Sequence, residues 1–254
     1  MLTSLKNTSL VILSHSDDEI FLIPYLLGNR DKTYVFIYLV NDYPKRSWLE
    51  NYFNRETELQ KSMSLLSRYC SIRHIQVPSS ELNLRDGNLY NEDSTSLIRL
   101  LGFIQNFNGF TEVLSLEYEG GHQDHDFSWF LSRKIANLAK VPHLTFSGYR
   151  QTFTKSRIPF FSVMKPRQLS IKKTLDRFQC TKVVLHLIAI YRSQLQTWIP
   201  LLLPTIFALS KGHYFISENS RLDLNQRYLY DIRGKAQYQE VVEKMVELFG
   251  VETC

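Results

Sequence analysis

Several features that would direct this 254-residue sequence to secretion or into a membrane are missing. It has only three cysteines, Cys70, Cys180 and Cys254, and no CxxC pair, so we expect a reducing compartment rather than a disulfide framework. The short apolar run at the start lacks the small-residue cleavage site of a signal peptide. The longest apolar stretch, 183–209, contains charge and prolines, which argues against a transmembrane helix. We therefore predict a cytoplasmic protein.

Two further absences narrow the function classes. No GxGxxG follows the first predicted strand, so a Rossmann-type nucleotide binder is not expected. Acidic residues are scarce between 150 and 182, where nine Lys or Arg accompany a single acid, Asp176. This basic segment can face an anionic substrate or the headgroups of a membrane, or it can be an ordinary solvated surface. We expect no nucleic-acid partner, and the oligomeric state is left open.

The first 150 residues alternate between short apolar runs and longer segments with helical periodicity. The predicted strands are Ser9–Leu13, Tyr34–Val40, Ile72–Val77, Glu112–Leu116 and His143–Ser147. The predicted helices between them are Asp18–Leu27, Asn54–Tyr69, Ser94–Phe107 and Asp126–Ala139. This rhythm predicts an α/β fold, a Rossmann-like parallel sheet with helices on both faces.

After Tyr149 this rhythm is lost. We predict a long apolar helix, a proline-containing turn, a strand and a final helix, at Thr181–Trp198, Pro200 and Pro204, His213–Ser217, and Lys235–Phe249. No linker is evident between the two halves. We therefore predict one domain, 1–254, in which a Rossmann-like core, 1–150, carries a C-terminal extension, 151–254, that walls the ligand-binding edge of the sheet.

Two short motifs stand at the ends of predicted strands. SHSDDE, at 14–19, follows the first strand and opens the first helix. EGGHQDHD, at 119–126, follows the fourth strand and opens another helix. In the common doubly wound order 3-2-1-4-5, strands one and four are neighbours, and their carboxyl ends flank the crevice where ligands bind. We therefore expect the two motifs to converge in one crevice.

The residue types in these motifs favour a metal site. Imidazole and carboxylate together suit zinc, and a catalytic zinc has three protein ligands and a water. His122 and His125 share a helical face, so both can bind metal, or one can bind while the other does acid–base work. The side chains of Asp17 and Asp18 point in different directions because the residues are adjacent. One can therefore bind the metal while the other contacts the metal-bound water. Taken separately, each motif also fits a solvated helix start or a surface pair.

Together the motifs resemble the two signatures of the LmbE/PIG-L-like zinc-dependent de-N-acetylases, usually AHPDDE and HxDH. The resemblance covers the first 150 residues in order and spacing, and it includes RETEL at 55–59 and, farther on, YRSQ at 191–194. Alanine and proline are usual where this sequence has Ser14 and Ser16, but neither position supplies a ligand. The family deacetylates N-acetylglucosaminyl-phosphatidylinositol, glucosaminyl precursors of low-molecular-weight thiols, and glycans of natural products.

The resemblance implies a role for each residue of the cluster. The Zn²⁺ ligands would be His15, Asp18 and His125. Asp17 would be the general base, and His122 would stabilise the oxyanion or protonate the leaving group. Asp124 would hold His122 in its orientation and charge state. The implied reaction hydrolyses the N-acetyl group of an amino sugar or sugar conjugate and releases acetate.

Substrate contacts are less constrained by the sequence. The resemblance places Arg55 near the crevice, where it can bind an anionic group, and a surface pair with Glu58 is the alternative. Asp42 and Asp86 can hydrogen-bond sugar hydroxyls or be ordinary loop acids. The three tryptophans can stack on a sugar ring, although core packing is expected for at least two. The basic segment favours a phosphate-bearing or lipid-linked sugar and is compatible with peripheral membrane contact.

Two other functions can use the same residues. A metal-dependent phosphoesterase is one, but such enzymes commonly hold two metals about 3.5–4 Å apart, and the motifs offer ligands for a single metal. A non-catalytic sugar-binding or regulatory protein of the same fold is the other. Against it, all six residues expected to act are present.

Overall fold

The computed structural model describes most of the chain. The described residues are 7–41, 43, 49, 52–77, 82, 84–87, 89, 94–105, 107, 109–119, 122–153, 159–165, 170–218 and 238–250. The strands are β1 Thr8–Leu13, β2 Thr33–Tyr38, β3 Ser71–Gln76, β4 Glu112–Leu116, β5 His143–Phe146, β6 Tyr149–Phe153, β7 Pro159–Val163, β8 Ile171–Thr174 and β9 His213–Glu218. The helices are α1 Ile23–Gly28, α2 Arg55–Leu66, α3 Ser94–Gln105, α4 Gln123–Ala139, α5 Arg177–Ile190, α6 Leu195–Ser210 and α7 Tyr238–Phe249, and short 3₁₀ turns are Asp18–Leu22 and Arg192–Gln194.

Within these residues, seven strands form one sheet in the order β3-β2-β1-β4-β5-β9-β8. The first five are parallel, with β1 between β2 and β4, whereas β9 runs antiparallel to β5 and to β8. Strands β6 and β7 form a separate antiparallel hairpin. The predicted α/β class and the predicted order 3-2-1-4-5 are both confirmed, because each βαβ crossover returns the chain to a parallel neighbour.

The central strands are buried on both faces and divide their side chains between two cores. In β1, Val11 and Leu13 enter one core, and Leu10 and Ile12 enter the other. Helices α1, α2, α5 and α6 cover the first face, and α3, α4 and α7 cover the second. A strand that alternates between two apolar layers reads as a continuous apolar run, which is why β1 and β2 are clear in the sequence.

The second half of the chain departs from expectation at the apolar segment. One helix through Thr181–Trp198 was predicted, but α5 ends at Ile190 and α6 begins at Leu195. The chain turns at Tyr191, whose backbone is not helical (φ −79°, ψ 61°), and this buried residue is held by its hydroxyl to Glu19. The break is therefore imposed by a tertiary contact.

The predicted turn at Pro200 and Pro204 is also wrong, because both prolines lie inside α6. Each proline removes one helical hydrogen bond, and the carbonyls left free belong to Gln196 and Pro200. Both of these residues are exposed, so water can replace the lost bonds. Among the described helices, none combines the length and apolar character needed to cross a bilayer.

The strand and the final helix predicted for the second half are both present. The predicted strand at His213–Ser217 corresponds to β9, and the predicted final helix corresponds to α7, although 235–237 lie outside the described residues. The segment 150–182, which has no clear periodicity in sequence, holds β6, β7, β8 and the start of α5. That all of 151–254 belongs to the same domain as the core stays a prediction.

Candidate metal centre

The two motifs meet at the carboxyl ends of β1 and β4. The first motif begins directly after β1, and the second runs into α4, whose N-cap is His122. Ser14 Oγ donates a hydrogen bond of 2.7 Å to the carbonyl oxygen of Asp124 and so ties the two loops together. This tie depends on the hydroxyl of Ser14. The convergence expected from strand order is confirmed.

Three side chains expected to bind metal come together in the buried crevice. His15 Nδ1 lies 3.3 Å from His125 Nε2, which lies 3.1 Å from Asp18 Oδ1. The second carboxylate oxygen of Asp18 lies 3.5 Å from His15 Nδ1. Tetrahedral bonds of about 2.0–2.1 Å place neighbouring ligand atoms about 3.3–3.4 Å apart. The two ring nitrogens have this spacing, and the Asp18 carboxylate lies beside both of them through different oxygens.

Carboxylates contact the second ring nitrogen of His15 and of His125, the one that faces away from the other ring. His15 Nε2 lies 3.1 Å from Asp86 Oδ1 and 3.2 Å from Asp124 Oδ2. His125 Nδ1 lies 3.1 Å from Glu119 Oε2. Such carboxylates fix the orientation and tautomer of a metal-binding imidazole. The sequence pattern predicts no such role for Glu119 or Asp86, because spacing does not reveal which carboxylate reaches which ring.

The position of Asp124 corrects an expectation. The resemblance pairs it with His122, but its carboxylate contacts His15 and accepts hydrogen bonds from the backbone amides of Gly87 (2.6 Å) and Leu89 (3.3 Å). His122 is the N-cap of α4 and has an extended backbone, whereas Asp124 lies in the first helical turn. The two side chains therefore leave the backbone in different directions, and that of Asp124 points to His15.

His122 packs against the two histidines instead. Its ring stacks on that of His125, with centroids 4.0 Å apart and planes at 15°, and it meets the His15 ring edge-on at 5.1 Å. Among the described residues its buried Nδ1 has no hydrogen-bond partner. Burial and the positive charges of His125 and His15 hold the pKa of His122 well below its usual value. Ligand atoms of all three histidines lie within 4.8 Å of one another, so they also form a possible metal-binding group.

The charges in the crevice favour a cation. Burial lowers the pKa of a histidine, but the carboxylates of Asp124 and Asp18 outweigh it and raise the pKa of His15 well above its usual value. Asp18 and Glu119 likewise overcome burial and raise the pKa of His125 to about 10. Burial acts to raise the pKa of Asp18, yet His125 and His15 hold it well below its usual value. A metal bound here would displace protons from both rings.

Asp17 lies beside these donors and is held by the second half of the chain. Trp198 Nε1 donates a hydrogen bond of 2.9 Å to Asp17 Oδ2. Burial raises the pKa of Asp17, while the Arg55 charge and the bond from Trp198 act in the opposite direction. The indole ring is buried in the core, as expected for a tryptophan, but its N–H reaches the crevice.

One cavity of about 240 Å³ is lined by the three histidines and by Asp17, Asp18 and Asp86. The wall opposite the motifs comes from the second half of the chain and contains Tyr149, Gln194, Thr197, Trp198 and Leu201. The Arg55 guanidinium lies 4.2 Å from the centroid of the Tyr43 ring, and Arg55 also lines a neighbouring cavity of about 250 Å³. Trp129 is buried in the core, and Asp42 and Trp48 lie outside the described residues.

No family model matches this chain, and no curated protein matches it in sequence. Solved structures do match its fold. The A40926 pseudoaglycone deacetylase Dbv21 has a TM-score of 0.55 at 14% identity, over 85% of this chain and 99% of that chain. A deacetylase–bog complex from the teicoplanin biosynthesis pathway (TM-score 0.54, 13% identity) and the zinc-inhibited form of teicoplanin deacetylase Orf2 (0.52, 12%) each match over 84% of this chain and 99% of theirs. The chain therefore shares the α/β fold of these deacetylases.

Proposed function

We propose that this protein is a zinc-dependent N-deacetylase that releases acetate from an N-acetylated sugar or sugar conjugate. The observation that carries the proposal is the convergence of His15, Asp18 and His125, whose contacts measure 3.1–3.5 Å, beside the buried carboxylate of Asp17. Amide hydrolysis at a metal needs this combination of an ion and an adjacent base. The fold shared with three solved deacetylase structures supports the same class of reaction.

Zinc is the metal that fits the donor set best. Two imidazoles and one carboxylate, from His15, His125 and Asp18, make the three protein ligands typical of a catalytic zinc. Asp124, together with Asp86, would keep His15 oriented, and Glu119 would do the same for His125. When bound, zinc supplies Lewis-acid polarisation of a carbonyl and a water whose pKa falls from near 16 to roughly 7.

Asp17 and His122 would carry the proton transfer and charge stabilisation. Asp17 accepts the proton of the attacking water, because its carboxylate is buried next to the ligands without being one of them. His122, neutral because of its low pKa, donates a hydrogen bond to the carbonyl oxygen as negative charge develops there. The proton held by Asp17 then passes to the leaving nitrogen as the C–N bond breaks, which gives acetate and a free amine.

Arg55 would bind an anionic part of the substrate. It lines both cavities, so a group bound there would lie within reach of the catalytic crevice. The basic segment 150–182 supports a phosphate-bearing or lipid-linked sugar, and two of its lysines, Lys172 and Lys173, are exposed. Exposed lysines near a substrate predict an affinity that falls as the salt concentration rises.

A second candidate, a two-metal phosphoesterase, is favoured by one observation. His15, Asp86 and Asp124 also bring ligand atoms within 4.8 Å of one another. However, this group uses Nε2 of His15, while His125 faces Nδ1 of the same ring. Two ions held in this way would lie on opposite sides of one imidazole, farther apart than the about 3.5–4 Å of two-metal sites. We therefore favour the single-metal deacetylase.

The test combines activity with metal content. Acetate release is measured from free, nucleotide-linked, inositol-linked and lipid-linked N-acetyl sugars, with and without a chelator, and zinc per chain is determined on the same samples. We expect one zinc per chain, and activity that the chelator removes and added zinc restores. His15→Ala should lose both metal and activity, whereas Asp17→Asn should keep the metal and lose about 10²–10⁴-fold in turnover. Full activity in either variant would refute the assignment, and two metals with phosphate release would favour the phosphoesterase.

A further inference from the structure

Helix α6 has a second apolar face that does not line the crevice. Trp198 and Leu201 point inward and line the catalytic cavity. Ile199, Leu203 and Phe207 are spaced by four residues and therefore share the outer face. They are 69%, 75% and 67% exposed, and we call these three side chains the α6 ridge.

The ridge lies on an unusually apolar surface helix. Single exposed apolar residues are normal on soluble proteins, but three in a row on one helical face need an explanation. Helix α6 contains no charged residue at all, so the polar face expected of a surface helix is missing. Elsewhere in the described helices, α3 and α4 present one such side chain each, Ile98 and Leu138, and α5 presents two, Phe178 and Leu185.

The charge of the surrounding sequence is strongly positive. Residues 150–217 contain eleven Lys or Arg and one acid, Asp176, which is a net charge of +10. Because the whole chain carries only +5, the rest of the sequence is net −5. No acidic residue occurs between Asp176 and Glu218, the stretch that contains both α5 and α6. The cationic charge of the protein is therefore concentrated in the segment that carries the ridge.

Cations also lie directly on exposed aromatic rings at one end of the α5–α6 hairpin. Lys211 Nζ is 4.9 Å from the centroid of the Phe207 ring, and the Arg177 guanidinium is 5.1 Å from that of Phe178, which is 77% exposed. The start of α5 and the end of α6 are adjacent, because the preceding β8 pairs antiparallel with the following β9. Both cation–aromatic pairs therefore lie at the same end of the hairpin.

We propose that the α6 ridge and the cations around it dock the protein on an anionic lipid bilayer. Apolar side chains enter the boundary between headgroups and acyl chains, while Lys and Arg attract the anionic headgroups. A nucleic acid would engage the cations but leave the ridge exposed. A second copy of the chain would bring two surfaces of the same positive charge together, which is unfavourable. The docking helix is the one whose inner face lines the cavity, so the bilayer would lie beside the crevice. This proposal does not depend on the deacetylase activity.

The experiment is flotation of the full chain with lipid vesicles at low salt. We expect binding to phosphatidylcholine vesicles that contain about 30% phosphatidylserine, and none to phosphatidylcholine alone. Leu203→Ser should weaken the partition about tenfold, and the triple variant Ile199→Ser, Leu203→Ser, Phe207→Ser about a hundredfold. Lys211→Gln should weaken it about fivefold. The matched control is Ile98→Ser, because Ile98 is also 69% exposed but sits on a helix of the other core.

Thermal melts should show that the ridge variants fold like the unmodified chain, because the replaced side chains are exposed. The proposal is refuted if the unmodified chain does not bind anionic vesicles. It is also refuted if Ile98→Ser loses as much binding as Leu203→Ser. Sedimentation velocity tests the remaining alternative, that the α6 ridge binds a second copy of the chain. A dimer that Leu203→Ser converts to a monomer, with no vesicle binding, would make the ridge a protein interface and overturn the proposal.

Discussion

Residues 8–146 and residues 149–218 contribute to the crevice in different ways. The first set supplies the donors proposed to bind metal, from loops at two adjacent strand ends, and their spacing follows from the parallel ladder between β1 and β4. The second set supplies a wall whose side chains reach across to carboxylates of the first. The sheet therefore positions the donors, whereas the extension holds three other acidic side chains, Asp17, Glu19 and Glu58.

Three contacts show how the extension does this. Trp198 donates to Asp17, the Tyr191 hydroxyl donates to Glu19, and Ser193 donates to Glu58 through both its amide (3.0 Å) and its hydroxyl (2.6 Å). All three carboxylates are buried, and burial raises the pKa of Glu19 to about 8. Removing such a donor from a buried carboxylate lowers the free energy of unfolding. We therefore expect variants of the donors and of the carboxylates that hold them to impair metal binding, and variants of the extension to impair turnover or stability.

The largest effect in this comparison should come from the carboxylates that hold the histidines. Glu119→Gln and Asp124→Asn should each lower zinc affinity about 10–100-fold, because the imidazole they orient becomes free to turn. Competition with a chromophoric chelator measures this. Asp86→Asn is the matched control and should have a smaller effect, because the Asp86 side chain is partly exposed to water whereas that of Asp124 is fully buried. Unchanged zinc affinity in Glu119→Gln and Asp124→Asn would remove the distinction between the two regions.

Trp198→Phe should have an intermediate effect, on turnover rather than on metal. Zinc content should stay the same, while kcat/KM falls about tenfold, because Asp17 loses a hydrogen bond that holds its ionised form. That bond lowers the pKa of Asp17, so its loss raises the pKa, and the acid limb of the pH–rate profile should shift to higher pH. Thr197→Ala, in the same cavity wall, should leave this limb in place. If the acid limb of the pH–rate profile does not shift in Trp198→Phe, Asp17 is not the general base.

The smallest effects should come from the contacts that attach the extension to the core. Tyr191→Phe and Ser193→Ala should each lower the free energy of unfolding by about 1 kcal/mol, because a buried carboxylate loses a donor. For Tyr191→Phe the loss should grow as pH rises through about 8, since the ionised form of Glu19 needs the donor more than the protonated form. Urea unfolding at several pH values measures both. Tyr69→Phe is the matched control, and an equal loss there would refute a specific role for Tyr191.

Local patterns predict the first half of the molecule well. Strands β1 and β4 are apolar runs followed by the two motifs, and the rule that ligands bind at the carboxyl ends of parallel strands is enough to bring His15 and His125 together. Both the α/β class and the strand order follow from the alternation of apolar runs and helical segments. In the second half the patterns mislead, because the prolines of α6 resemble a turn and the break before α6 depends on Tyr191, whose partner Glu19 is 172 positions away.

By itself, the sequence determined the sheet, the order of its parallel strands and the donors gathered at their ends, since each of these follows from neighbours along the chain and from the geometry of βαβ units. Only the tertiary structure decided which carboxylate holds which side chain: Asp124 contacts His15 across 109 positions, and Trp198 contacts Asp17 across 181. Such pairs leave no periodic signal in the sequence, because they depend on the directions in which side chains leave elements that meet only in the folded protein.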